Sequence, residues 1–179
     1  DQVQMLQNAM AKDPAAIALA ALDTQSVMDQ LNEAVRRDIP IIGFDSGVPN
    51  APSGAIYATA ATDNYAAAGL AAEKMFEELA SDLGNVSPSN PVTVVVLSQD
   101  ATSESVTSRG FGFRDRMVEL LLDETPLSED NILVKGNPAY VASDSPQGSN
   151  PAVILDMVVP ASPRTQDVTS AANAVFNRV

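Results

Sequence analysis

The chain has 179 residues, 45% of them hydrophobic, and no histidine or cysteine. That is enough apolar material for a real core, and it excludes Ser-His-Asp catalysis, thiol nucleophiles, disulfides and imidazole or thiolate zinc sites. Ten Lys and Arg against 23 Asp and Glu leave a net charge of −13, the reverse of the cationic surface that phosphate backbones require, so no nucleic-acid partner is expected and the acidity favours a monomer.

The first residues, Val3, Met5, Leu6, Ala9 and Met10, keep helical spacing from the outset, as though a helix is entered midway. Residues 15–22 form a continuous apolar run after Asp13-Pro14, too short for a membrane span. Residues 26–37 are amphipathic, with Val27, Leu31, Ala34 and Val35 on one face. Residues 39–44 are apolar and β-branched, with Pro40 at the entry, where a missing N–H is tolerated. Turn residues from Gly47 to Gly54 precede another strand over 55–60. A long helix is predicted over 64–83, then a Ser/Pro/Asn loop and a fully apolar strand over 92–97. A second long helix covers 103–122, followed by a strand near 132–134, a polar loop over 143–151, a strand over 153–159 and a final helix. That helix, with Val168, Ala171, Ala172, Val175 and Phe176, stops without a cap or glycine, and two blunt helical ends read as a fragment.

Apolar strands alternating with amphipathic helices predict an α/β fold: parallel sheets covered by helices in two Rossmann-like lobes. In such sheets ligands bind beyond the carboxyl ends of the strands. The polar residues just after each apolar run are therefore the candidates: Asp23-Thr24, Asp45-Ser46, Thr62-Asp63-Asn64, Ser98-Gln99-Asp100, and the stretch from Asn137 to Tyr140. Each also has a plainer role. Asp23, Asp45, Asp63, Asn64 and Gln99 are residues that cap helices and make turns. Arg109 in a Ser/Thr-rich helix start is by default an exposed, solubilising group, and Tyr140 covers a strand end. Phe113 reads as core. The adjacent pairs Glu77-Glu78 and Asp123-Glu124 point in different directions on their helices and do not form catalytic carboxylate pairs. No glycine loop of the phosphate-cradling pattern is present.

Four motifs occur in order: Asp13-Pro14-Ala15-Ala16-Ile17, Ile39-Pro40-Ile41-Ile42-Gly43-Phe44-Asp45, Thr62-Asp63-Asn64 and Arg109-Gly110-Phe111-Gly112-Phe113. In this the chain resembles the type I periplasmic sugar-binding proteins of bacterial ABC importers, the ribose-binding-like group. The resemblance covers nearly all of it except an insertion around residues 142–162. It implies the type I fold, incomplete at both ends, with residues 1–62 belonging to an N-terminal lobe, 63–179 to a C-terminal lobe, and a crossover near Thr62-Asp63. The strand at the centre of the first lobe would be missing. By the same resemblance Asp45 accepts hydrogen bonds from sugar hydroxyls, Arg109 binds the sugar from the other lobe, and Tyr140 stacks on the sugar face. Asp23, Ser46, Asp63, Asn64 and Gln99 are further ligand or hinge positions, Ser46 standing where some members carry a basic residue.

The function implied is capture of a monosaccharide or polyol for a membrane permease, in the periplasm or outside the cell, with or without a lipid anchor. No cofactor and no catalysis are expected. The alternative is the effector-binding domain of a LacI-type transcriptional regulator, which shares the fold and would carry an upstream helix-turn-helix.

Overall fold

The structure, a computed structural model, describes residues 1–177. The last two positions of the predicted second lobe, 178 and 179, lie outside the described residues. The chain divides into two compact units. The first holds Asp1–Asp63 together with Thr102–Ser105, and the second holds Asn64–Ala101 and the chain from Val106 onward.

The first unit contains helix α1 (Gln2–Met10), strand β1 (Ile17–Leu19), helix α2 (Met28–Arg36), and strands β2 (Ile41–Phe44) and β3 (Ile56–Ala60). The helix predicted to be entered midway has its own cap: the Asp1 carboxylate accepts from the N–H of Val3 at 2.8 Å and of Gln4 at 3.4 Å, which satisfies donors that the first turn leaves open. The strands form one parallel sheet in the order β1-β2-β3. Its strands are contiguous, so no gap opens within it and β1 is an edge. Of the apolar run 15–22 only Ile17–Leu19 pairs with β2.

One face of this sheet carries the core. Leu19 and Ile41 pack with Leu6 and Met10 of α1 and with Leu31 and Ala34 of α2. The opposite face has Ala18 beside Ile42 beside Ala58, and Phe44 beside Ala60. All five are apolar and all five are exposed. Residues alternate across a strand, so an apolar run buried on one side only leaves its other half facing water.

In the second unit, helix α3 (Asn64–Glu78) and a short helix α4 (Ala80–Leu83) replace the single predicted helix over 64–83. The break falls at Leu79, whose ψ is near zero, and no proline or glycine marks it. Strand β4 (Val92–Leu97), helix α5 (Glu104–Glu124), strand β5 (Ile132–Gly136), strand β6 (Val153–Val158) and helix α6 (Thr165–Phe176) complete the fold. This sheet is also parallel, in the order β4-β6-β5. The stretch 142–162, expected to be an insertion, therefore supplies the middle strand: Val153 aligns with Val92 on one side and with Ile132 on the other. The placement follows from apolarity, since Val153, Leu155 and Met157 are fully buried. Among the described residues no helix is long and apolar enough to cross a membrane.

Helices α3 and α5 touch closely because α5 has a glycine where they meet. A methyl group built on Gly112 would lie 2.8 Å from the carbonyl carbon of Tyr65. Polar contacts fix the same crossing. The Tyr65 hydroxyl donates to Asp115 at 2.7 Å, and Arg116 Nε donates to Glu73 at 2.9 Å.

Candidate functional site

The first unit carries Asp23, Asp45, Ser46 and Asp63; the second carries Asn64, Gln99, Arg109 and Tyr140.

Asp45 follows β2 directly, is exposed, and has φ 58°. Few residues other than glycine tolerate this left-handed conformation, and aspartate is among them. Its N–H donates to the carbonyl of Ala60 at 3.0 Å, so the turn is held by backbone and the carboxylate is left to solvent. Ser46 is 4% exposed, and its Oγ accepts from the N–H of Ser105 at 3.3 Å. Asp23 caps the turn that leads into α2, its Oδ1 accepting from the N–H of Gln25 at 2.9 Å and of Ser26 at 2.8 Å. Asp63 is exposed just before α3, and Asn64 begins that helix, 4% exposed. The buried Asn64 Oδ1 accepts no hydrogen bond in the structure.

In the second unit the end of β4 and helices α3 and α5 line a partly open cavity of about 490 Å³, within the range of about 300–1,000 Å³ common to small-molecule sites. Ala67, Ala68 and Ala71 of α3 form a smooth apolar wall, and Phe113 and Val96 add to it. The polar groups are Ser98 and Gln99, just past β4, and Arg109 of α5. Arg109 is exposed and makes no ion pair among the described residues. Arg36, Arg37, Arg114 and Arg116 each have a carboxylate partner. Its free guanidinium fork stands over an apolar cavity, and the structure brings it together with Gln99, both singled out in the sequence. Ser98, also among the polar residues marked in the sequence, lines the same cavity, one residue after β4 as Asp45 is one residue after β2.

Tyr140 stands elsewhere than the resemblance implies. It is fully buried, its hydroxyl donates to the carbonyl of Asp100 at 2.8 Å, and its ring lies against Phe111, with centroids 5.4 Å apart. A ring closed in on all sides has no face to offer a ligand, so its contribution is internal. Burial raises the phenol above its ordinary pKa, and a hydrogen bond from Ser98 partly opposes that rise.

The remaining acidic groups do not build a second centre. Glu77 pairs with Lys74 along the exposed side of α3, and among the described residues no cluster of acids could hold a metal ion.

The periplasmic binding protein domain family matches residues 1–154. The ABC transporter, LacI family transcriptional regulator from Brachyspira murdochii is 32% identical with a TM-score of 0.70, over 97% of this chain and 47% of its own. The sugar ABC transporter sugar-binding protein from Bacillus halodurans is 26% identical with a TM-score of 0.53, over 89% of this chain and 41% of its own. An ABC transporter solute-binding protein from Agrobacterium vitis, with bound D-fucose, is 29% identical with a TM-score of 0.57, over 66% of this chain and 38% of its own. The chain thus spans less than half the length of these solved structures. No curated protein matches it.

Proposed function

Because the chain belongs to the periplasmic binding protein domain family, we propose that its parent protein captures a monosaccharide or related polyol outside the cytoplasm and delivers it to the permease of an ABC importer, without chemical turnover. The observation that carries this is the unpaired Arg109 at the polar rim of an otherwise apolar cavity. A sugar has hydroxyl edges and an apolar C–H face. The guanidinium fork supplies paired, charge-assisted donors to two hydroxyl oxygens, the Gln99 amide both donates and accepts, and the alanine wall of α3 receives the apolar side. Asp45, a carboxylate free in its turn, is the acceptor that sugar hydroxyls need. Asp23, Ser46, Asp63 and Asn64 are further ligand or hinge positions, Asp23 also capping the turn that leads into α2. A histidine- and cysteine-free chain has no Ser-His or Cys-His pair for covalent catalysis.

Calorimetric titration of the full-length protein against pentoses, hexoses and polyols, with amino acids and nucleotides as controls, tests the reading. Binding confined to sugars is the expected result; binding of an amino acid or nucleotide instead overturns it. A second reading, an effector-binding domain of a LacI-type regulator, has one observation in its favour, the LacI description of the Brachyspira murdochii relative. A DNA-binding helix-turn-helix in the same polypeptide separates the two.

A further inference from the structure

The chain leaves the second unit after Ala101, gives Thr102–Ser105 to the first, and returns at Val106. Tyr140 sits where it leaves and where it returns. Its hydroxyl donates to the carbonyl of Asp100 at 2.8 Å and lies 3.5 Å from the carbonyl of Val106. Asp100 follows Gln99 and Val106 is one turn before Arg109, so one hydroxyl spans the two segments that carry the cavity's polar groups. The ring fixes the second of these segments sideways. Gly110, next to Arg109, has no side chain where the Tyr140 ring lies, and a methyl there would be 2.8 Å from Cδ1. Beyond it, Arg114 donates from Nη1 to the Tyr140 carbonyl at 2.6 Å, with its guanidinium carbon 4.9 Å from the Phe111 ring centroid. Tyr140 itself is held by its N–H, which donates to the carbonyl of Asn137 at 2.9 Å.

We infer that Tyr140 is a positioning residue for the Arg109 cavity: by pinning Asp100, Val106 and Gly110 from behind, it sets the spacing between Gln99 at the end of β4 and Arg109 on α5 without touching the ligand. This rests on the sugar-binding reading for its ligand, but not for its structural content. A ligand held by two polar groups on separate segments is sensitive to their spacing, because displacement of about 1 Å is enough to cost a large factor.

The test is Tyr140→Phe in the full-length protein, which keeps the ring in its space and removes only the hydroxyl. Hydrogen exchange is followed over residues 98–110, with residues 153–158 as reference, and D-fucose, D-arabinose and D-glucose are titrated. The expected result is exchange faster by about tenfold over 98–110 with the reference unchanged, and sugar affinity weaker by about tenfold. Unchanged exchange over 98–110 overturns the inference whatever the sugar result. Faster exchange with unchanged sugar affinity also overturns it, leaving Tyr140 a purely structural residue. If the native protein binds none of the sugars, the sugar reading falls, and exchange alone decides whether Tyr140 holds the cavity walls.

Discussion

Gly110 lacks a side chain where Tyr140 needs room: a methyl built on it would lie 2.8 Å from Tyr140 Cδ1 and 3.0 Å from Cζ, inside van der Waals contact. Alanine is the better helix former by about 1 kcal/mol, yet the ring is fully buried and cannot yield, and overpacking of this kind costs about 1–3 kcal/mol. Gly110→Ala is therefore expected to lower stability in urea denaturation. Gly112→Ala is expected to lower it at least as much, since its obstacle is the backbone of Tyr65. Gly69→Ala is the control. Its nearest neighbour, Arg116 Cβ, is 3.7 Å away, so propensity decides and stability rises by about 0.5–1 kcal/mol.

Ile41 and Ile42 are neighbours in sequence on opposite faces of the first sheet, the former fully buried and the latter 42% exposed. Ile41→Ala is expected to cost about 2–5 kcal/mol through lost burial and a cavity, and Ile42→Ala less than about 1 kcal/mol. The open face with Ile42 and Phe44 is also expected to bind a hydrophobic dye and to promote association of the isolated chain. Phe44→Ser should reduce both without lowering the thermal midpoint.

Most of the fold was legible in the sequence because it depends on apolar periodicity. All six strands and the principal helices occur where alternation of apolar runs predicts them. Strand order was not legible: nothing local to residues 153–158 says that they lie between β4 and β5. The same limit applies to the site. Gln99 could be found from its place after an apolar run and Arg109 from the motif that carries the resemblance, but the burial of Tyr140 depends on a missing side chain thirty residues away in sequence, at Gly110. Ser46 and Asp23 follow apolar runs, and backbone N–H groups of Ser105 and of Gln25 and Ser26, in the turn before α2, donate to them.

Asp45 separates backbone tolerance from charge. Its φ of 58° suits Asp, Asn and Gly. Asp45→Asn is expected to leave the thermal midpoint in place while weakening sugar binding, and Asp45→Ala to cost about 1–2 kcal/mol of stability as well. Equal sugar affinity in native and Asp45→Asn protein removes Asp45 from the ligand site.

Two tyrosines make stability sensitive to alkali. The Asp115 carboxylate, accepting the Tyr65 hydroxyl, raises that phenol above its ordinary value, and burial raises Tyr140. A phenol with a higher pKa folded than unfolded contributes stability that is fully present below the unfolded value of about 10 and is lost as pH rises through the folded one. Urea midpoints are expected to be flat with respect to these groups up to about pH 9 and to fall above about pH 10. Tyr65→Phe should make that fall shallower.

The most direct test of the account is titration of native and Arg109→Gln full-length protein with the sugar the native protein binds best. Removing a guanidinium that meets sugar hydroxyls in a partly enclosed cavity costs about 2–3 kcal/mol, a factor of thirty or more. The account predicts that loss with an unchanged thermal midpoint in the absence of sugar, because Arg109 has no ion pair to lose. Native sugar affinity in Arg109→Gln would contradict it.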